Sequence, residues 1–542
     1  MKRFGIQLKQ HNIYYLVITA ILATITGAAL KITRPEFYAA IMAFVLLTGA
    51  FTYRSRTALG WVSRRWTYRR TNREKIFLYP HENSGISWDG NRASAYVEIL
   101  PQPFEFTVVG SLEETTVRSL PVDDIREELV QFDIHCDAVT LVTMGHKYDR
   151  SNQIAMVYHS SIGPIPALLY GRTFAEISIA LDESIDSIYA RQFDDGAPAG
   201  LSRTVGIAAE RIRRRLAKQG WKAKRLNQTE VEVLNNQISA ILTPAMAEER
   251  WGSCGPATMR AVAFTPAPAS WTAANYREWC QLDTHRQLQI LRLDRRRRGG
   301  DHAEMYLAYV TDDSRALNTL PALGLGREYS QQGDILTAAM PLARTVRPTA
   351  VSGKQLAADP FPFELHAGGI GTFLGHTRSR AQVFVNFTTG GTRDIEELGA
   401  DGAATTITQF IPFHVVGAST LCQHLLLRIA TSGRTVDVQI PGEHWRLFAS
   451  RVGATYKSNP DADIIVVDAA TAESADAPIP TQPDQVEIVW AAKKPSETIE
   501  YGIIAGTPEC TLMSPTQRIG YTWEVSSAEQ SYFTEAGPRH AA

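Results

Sequence analysis

Two stretches near the start of the chain carry no charge. Residues 13–30 read IYYLVITAILATITGAAL and residues 37–53 read FYAAIMAFVLLTGAFTY. As helix each would be roughly 27 Å long, close to a ~30 Å hydrocarbon core, so the pattern predicts a two-helix transmembrane hairpin. The connector KITRPE suits a tight turn, because Thr33 and Glu36 have capping-box spacing and Pro35 fits a first helical turn. Small residues recur at four-residue spacing, and Ala23, Gly27, Ala39 and Ala43 are the expected helix-packing positions. Neither run holds an Asp, Glu, Lys, Arg or His, so a proton path or ion channel is not expected.

The next stretch, YRSRTALGWVSRRWTYRR, has six arginines and no acid. Basic residues flank both apolar runs on the same side, with Lys2, Arg3 and Lys9 before the first and the arginines after the second. The positive-inside rule then predicts a multi-pass protein of the cytoplasmic (inner) membrane with both termini cytoplasmic. Arg54, Arg56, Trp61, Arg64, Arg65, Trp66, Arg69 and Arg70 become candidates for contact with membrane lipids or with a partner. A net charge of −1 over 542 residues argues against a dedicated nucleic-acid binder.

Downstream the alternation changes to that of a cytoplasmic α/β region. GISWDGNRASAYVEIL reads as a hairpin turned at Asp89-Gly90. VDDIREELVQF and GLSRTVGIAAERIRRRLAKQG read as helices, the second stopped by Gly220. IHCDAVTLVTM, TFAEISIAL, MRAVAF, LQILRL and MYLAYV read as strands. The pattern lapses over 343–362. AQVFVNF, TQFIPFHVV, TVDVQI, ADIIVVDAA and VEIVWAA then alternate with the helix STLCQHLLLRIATSG, as in a Rossmann-like unit. The expected organisation is a tail at 1–12, the hairpin at 13–53, a basic segment at 54–76, a first α/β domain at 77–345, a second at 346–525 and a flexible tail at 526–542. Residues 246–350 as a whole fit no recognisable fold.

Chemistry is sparse in this sequence. FHVVGASTLCQHLLLRIATSG has the strand–glycine–helix order of a phosphate site, but Gly417 stands alone and no lysine follows, so an intact P-loop is missing. Ser419 is the expected helix cap and Asp468 stands where a Walker B acid would. Asp312 and Asp313 after MYLAYV, and Asp461 and Asp463, have the form of metal-binding acids of sugar-nucleotide transferases. A membrane-anchored, cytoplasm-facing enzyme of that kind is the alternative function. Cys254 in GSCG lacks an assignable base. The five cysteines are scattered without a CxxC pair, and the histidines lack ligand spacing. No catalytic residue, metal site or cofactor is therefore expected.

The order of these features, with GTFLGHTRSRAQVFV around Leu374-Gly375 and LLLRIATSGRTVDVQIPGEHW from Arg428 through Gly433 to Trp445, resembles EccE, a membrane subunit of the type VII (ESX) secretion systems of actinobacteria. The resemblance implies a non-catalytic structural subunit that anchors and stabilises an inner-membrane protein-export complex from its cytoplasmic side. It implies EccB, EccC and EccD as partners, with EccC as the ATPase.

Overall fold

The strand Arg92–Leu100 shows how the first half of the chain is built. It reads RASAYVEIL, and its seven inner residues are all buried. A strand buried on both faces needs a layer on each side. Val97 and Ile99 pack into one core with the helices Val122–Glu127, Ala197–Lys218 and Ala273–Gln281. Tyr96 points the other way, into a core with the helices Gln228–Met246 and Gln332–Thr337. Between the layers lies a sheet of thirteen strands among the described residues, with every pairing antiparallel.

This is the arrangement of the computed structural model, which describes residues 4–6, 10–29, 34–49, 51–53, 56–58, 60–62, 65, 77–81, 84–88, 92–110, 119–148, 155, 158, 162, 165–193, 196–246, 248–256, 258–296, 300–312, 315–341, 353–356, 359–398, 404–472, 485–494, 498–530 and 532–533. The turn at Asp89-Gly90, the tail from 534 and most of the 343–362 stretch lie outside them. The strands of 246–350, which matched no known pattern, form part of the centre of the sheet. Arg260–Pro266, Gly300–Thr311 and Arg286–Arg296 stand side by side and continue into Ala138–His146.

The second half is wound differently. Thr455–Tyr456, Val436–Val438, Ile464–Asp468, Val486–Ala491, Phe413–Val416 and Tyr501–Ile504 lie in that spatial order and are parallel, and Cys510–Met513 and Arg518–Tyr521 add an antiparallel edge. The helices Ser419–Ala430 and Glu443–Val452 pack Leu425, Ile429, Trp445 and Phe448 into its core. A three-stranded sheet joins the halves, because Phe106–Val109 pairs with Gln382–Val385, which pairs with Thr372–His376. His376 and Thr522 exchange backbone hydrogen bonds of 3.2 and 2.8 Å, which extends this sheet to the C-terminal segment.

The transmembrane hairpin is corrected. Two helices occur, Gln10–Ala29 and Pro35–Gly49, but among the described residues no helix is long and apolar enough to cross a membrane. The second uncharged run overstated its helix. The second helix has 15 residues, about 22 Å, against a ~30 Å core. Its expected last turn is instead the strand Phe51–Tyr53, which pairs with Phe4–Ile6 and Arg56–Thr57. The multi-pass inner-membrane location rested on those spans and falls with them. Gly27 is buried against the second helix, where an added Cβ would lie 2.3 Å from the Tyr38 hydroxyl. Ala23 is half-buried, and Ala39 and Ala43 are exposed.

The helix Gln228–Met246 went unread in the sequence, although its start carries a capping box. Asn227 Oδ1 accepts from the Glu230 amide at 2.9 Å, and the Asn227 amide donates to Glu230 Oε2 at 2.8 Å. Replacing Asn227 with Ala removes one of these bonds and is expected to lower unfolding free energy by about 1 kcal/mol, read by urea titration of the full chain.

Candidate functional site: a buried arginine joint and a closed phosphate loop

The residues with chemical potential do not converge. Gly417 is the glycine of the strand–helix turn, with φ +142°, and a Cβ there would lie 2.6 Å from Ala505 Cβ. Its amide donates to the Ala491 carbonyl at 2.9 Å, and its own carbonyl accepts from Trp490 Nε1 at 3.1 Å. The Gly417 amide is therefore not available to a phosphate at this loop. The expected cap shifts by one residue: Ala418 is the N-cap and Ser419 begins the helix. Asp463 accepts from the Thr435 amide and hydroxyl at 2.7 and 2.8 Å, which is a turn role. Asp312 faces His285 at 3.3 Å, and Asp313 lies outside the described residues.

Cys254 sits on a short strand, fully buried, paired with Ala261. All five cysteines are buried and none of them forms a disulfide. Burial pushes the Cys136 thiol up to about 12 and the Cys280 thiol up to about 11, so neither is a thiolate at neutral pH. The basic helix is also engaged. Arg213 and Arg214 bind Glu210, whose carboxyl is held down at about 2 chiefly by the Arg213 hydrogen bond, and Arg215 bridges to Asp124 and Glu127.

One group could hold a divalent cation, and spacing within a single strand did not reveal it. Asp294 and His302 are cross-strand partners in the Arg286–Arg296/Gly300–Thr311 hairpin, and Glu304 lies two residues further along the same face. His302 Nδ1 is 3.7 Å from Asp294 and 3.8 Å from Glu304. Arg292 Nε lies 3.9 Å from Asp294, so a guanidinium already supplies positive charge to this cluster.

The basic segment meets the protein itself. Trp61 packs on Trp251 and Tyr329 with ring centroids 5.9 and 6.1 Å apart, and the Arg65 guanidinium lies 5.4 Å from the Trp251 centroid. Arg56 is in a strand of the N-terminal sheet, while Arg54, Arg64, Trp66, Arg69 and Arg70 lie outside the described residues.

The two stretches that carried the resemblance meet in space. Arg428 is 1% exposed. Its Nε and one terminal nitrogen each donate to Glu529 at 3.0 Å. That nitrogen also donates to the Glu524 carbonyl. The other terminal nitrogen donates to the Leu374 and Phe373 carbonyls at 2.8 and 3.3 Å. All five N–H groups of the guanidinium are thus matched. Trp523 stacks over it at 4.4 Å, and His424 adds a 3.1 Å contact to Glu529. Nothing in the sequence placed Glu529 near Arg428, because 101 residues separate them.

Comparison with known proteins supports the resemblance through a different part of the chain. The EccE family model, of the type VII ESX secretion system translocon, matches residues 185–265. The resemblance to EccE is borne out. The ESX-1 secretion system protein EccE1 of Mycolicibacterium smegmatis (strain ATCC 700084 / mc(2)155) is 24% identical over 198 residues, or 34% of this chain and 41% of that protein. The proteins of the same name from Mycobacterium tuberculosis strains CDC 1551 / Oshkosh and ATCC 25618 / H37Rv are 25% identical over 195 residues, or 33% of this chain and 41% of each. The EccE-matched segment contains the helices that cover opposite faces of the large sheet. Between them the strand Lys222–Arg225 crosses from one layer to the other on the edge of Arg92–Leu100. Trp251, which receives Trp61, lies in the same segment.

Removing one partner of a buried, hydrogen-bonded pair strands the other. Arg428→Met is therefore expected to lower stability by about 3–5 kcal/mol in urea unfolding. Burial works to raise the Glu529 carboxyl, but hydrogen bonds from His424 and Arg428 outweigh it and hold it below its ordinary value. A depressed carboxylate stabilises the fold above its unfolded-state pKa and loses that contribution as pH falls through the folded one. The stability gap between the native chain and Glu529→Gln is thus expected to be widest near neutral pH and to narrow below about 4.5.

Proposed function

We propose that this chain is a non-catalytic structural subunit of a type VII (ESX) protein-export complex, holding other subunits in place while an ATPase elsewhere supplies the work. One observation carries the non-catalytic part. The Arg428 and Leu374 stretches, on which the resemblance to EccE was read in the sequence, are joined to each other inside the protein and not set around a cleft. The Gly417 turn supports the same reading, since its amide already donates to the Ala491 carbonyl.

The name of the matched family and those of the EccE1 relatives support the secretion assignment. EccB, EccC and EccD are the proposed partners. Trp61, in the described part of the basic segment, packs on Trp251 and fastens the N-terminal module to the EccE-matched part of the body. That fastening keeps the module and the body in one orientation toward a neighbour, and it is reinforced by Arg65 over the same indole.

Affinity purification of the tagged, full-length chain from an actinobacterial host with an ESX locus tests this. EccB, EccC and EccD are expected to co-elute, and Trp251→Ala is expected to lower their recovery several-fold at unchanged expression. Elution of the native chain alone, with the partners expressed, would count against the subunit reading.

A further inference from the structure

A cavity of about 710 Å³ opens between the helices Val122–Glu127 and Ala273–Gln281 and the segment 361–366. It lies outside the EccE-matched residues. Its wall is aromatic: Tyr276 and Phe363 are stacked with centroids 4.8 Å apart at 15°, and Phe361 meets Phe363 edge-on at 4.8 Å. Two polar groups in it lack partners. His366 Nδ1 is buried and has no hydrogen-bond partner among the described residues. Arg277, half-buried on the helix, forms no ion pair among the described residues. A buried polar atom left unmatched costs about 1–3 kcal/mol, so a ligand that satisfies it gains that much selectivity.

The charges around the cavity narrow the ligand. Burial, and then the positive charge of Arg277, push His366 down to about 4, so the ring is neutral at physiological pH. Asp123 is occupied, accepting from the Phe361 amide at 3.0 and 3.1 Å and facing Arg126 at 3.5 Å. Asp124 is occupied by Arg215 and Gln219. Arg277 is the unanswered charge, and it calls for one carboxylate. The exposed Glu364 at the rim disfavours a multiply charged anion such as a nucleotide. A volume of about 710 Å³ suits one or two residues and not a folded domain.

We propose that this cavity binds the C-terminal end of a peptide that finishes in an aromatic or bulky apolar residue. The terminal carboxylate pairs with Arg277, the side chain lies on Tyr276 and Phe363, and the neutral His366 ring hydrogen-bonds the peptide end. The occupant is defined by its end group, so the site would serve as a socket for the tail of another protein.

Isothermal titration of the full-length chain with acetyl-Ala-Ala-Phe, the same peptide as its C-terminal amide, and N-acetyl-phenylalanine tests this. The free acid peptide is expected to bind saturably, at least tenfold tighter than the amide and tighter than N-acetyl-phenylalanine. Arg277→Gln is expected to abolish the preference for the acid while leaving thermal stability unchanged, because Arg277 has no ion-pair partner to lose. Equal binding of acid and amide, a preference that survives in Arg277→Gln, tighter binding of N-acetyl-phenylalanine than of the peptide, or no binding of any of the three at millimolar concentration would each overturn the proposal.

Discussion

The Arg428–Glu529 pair is the constraint on which the second half of the structure depends. A guanidinium at 1% exposure is tolerable only if its charge and all its donors are matched, since the desolvation cost of a buried ion is several kcal/mol. The matching groups come from three places: the strand Thr372–His376, the Glu524 backbone and the helix Ser527–Gln530. Satisfying Arg428 therefore fixes the end of the chain and the small joining sheet against the helix Ser419–Ala430. Through Gln382–Val385 and Phe106–Val109 that sheet is continuous with a strand from the first half. His146 Nε2, 3.1 Å from the Ser432 carbonyl, adds a second link between the large sheet and the loop that follows the same helix.

This joint explains the absence of a recognisable catalytic signature around Arg428 in the sequence. In an enzyme, an arginine near a glycine turn would face a substrate. Here every donor is consumed by the protein, and Trp523 closes the remaining face of the guanidinium. The Gly417 turn follows the same logic, with its glycine required by the approach of Ala505. In both places the side-chain pattern serves packing.

Parts of the fold were legible in the sequence. GLSRTVGIAAERIRRRLAKQG gave its helix through a 3.6-residue apolar period and a glycine stop, and Gly220 is indeed left-handed at φ 79°. MYLAYV and LQILRL read as strands because each is a short, mostly apolar run between polar segments. The second N-terminal helix is shorter than its uncharged run, because such a run marks where charge is absent and not where helix ends. Phe51–Tyr53 is apolar and leaves the helix for a strand pairing with Phe4–Ile6, which no local pattern encodes. The capping box at Asn227 was visible as a spacing and was passed over. The partners that matter most were out of reach: Glu529 for Arg428, Trp251 for Trp61, and His302 and Glu304 for Asp294 are brought together only by sheet register or by the path of the chain.

The central claim is that this chain contributes geometry to an export complex and contributes no chemistry. It is tested most directly by the amount of exported protein in a host whose own copy is replaced with the triple variant Asp312→Asn, Ser419→Ala, Asp468→Asn. These changes remove two acids and a hydroxyl that the sequence offers for a metal or a phosphate, and they leave the buried joint and the Asp294, His302 and Glu304 group intact. Export at the level of the native chain is the predicted result. Loss of export with normal amounts of the variant and normal recovery of its partner subunits would contradict the account.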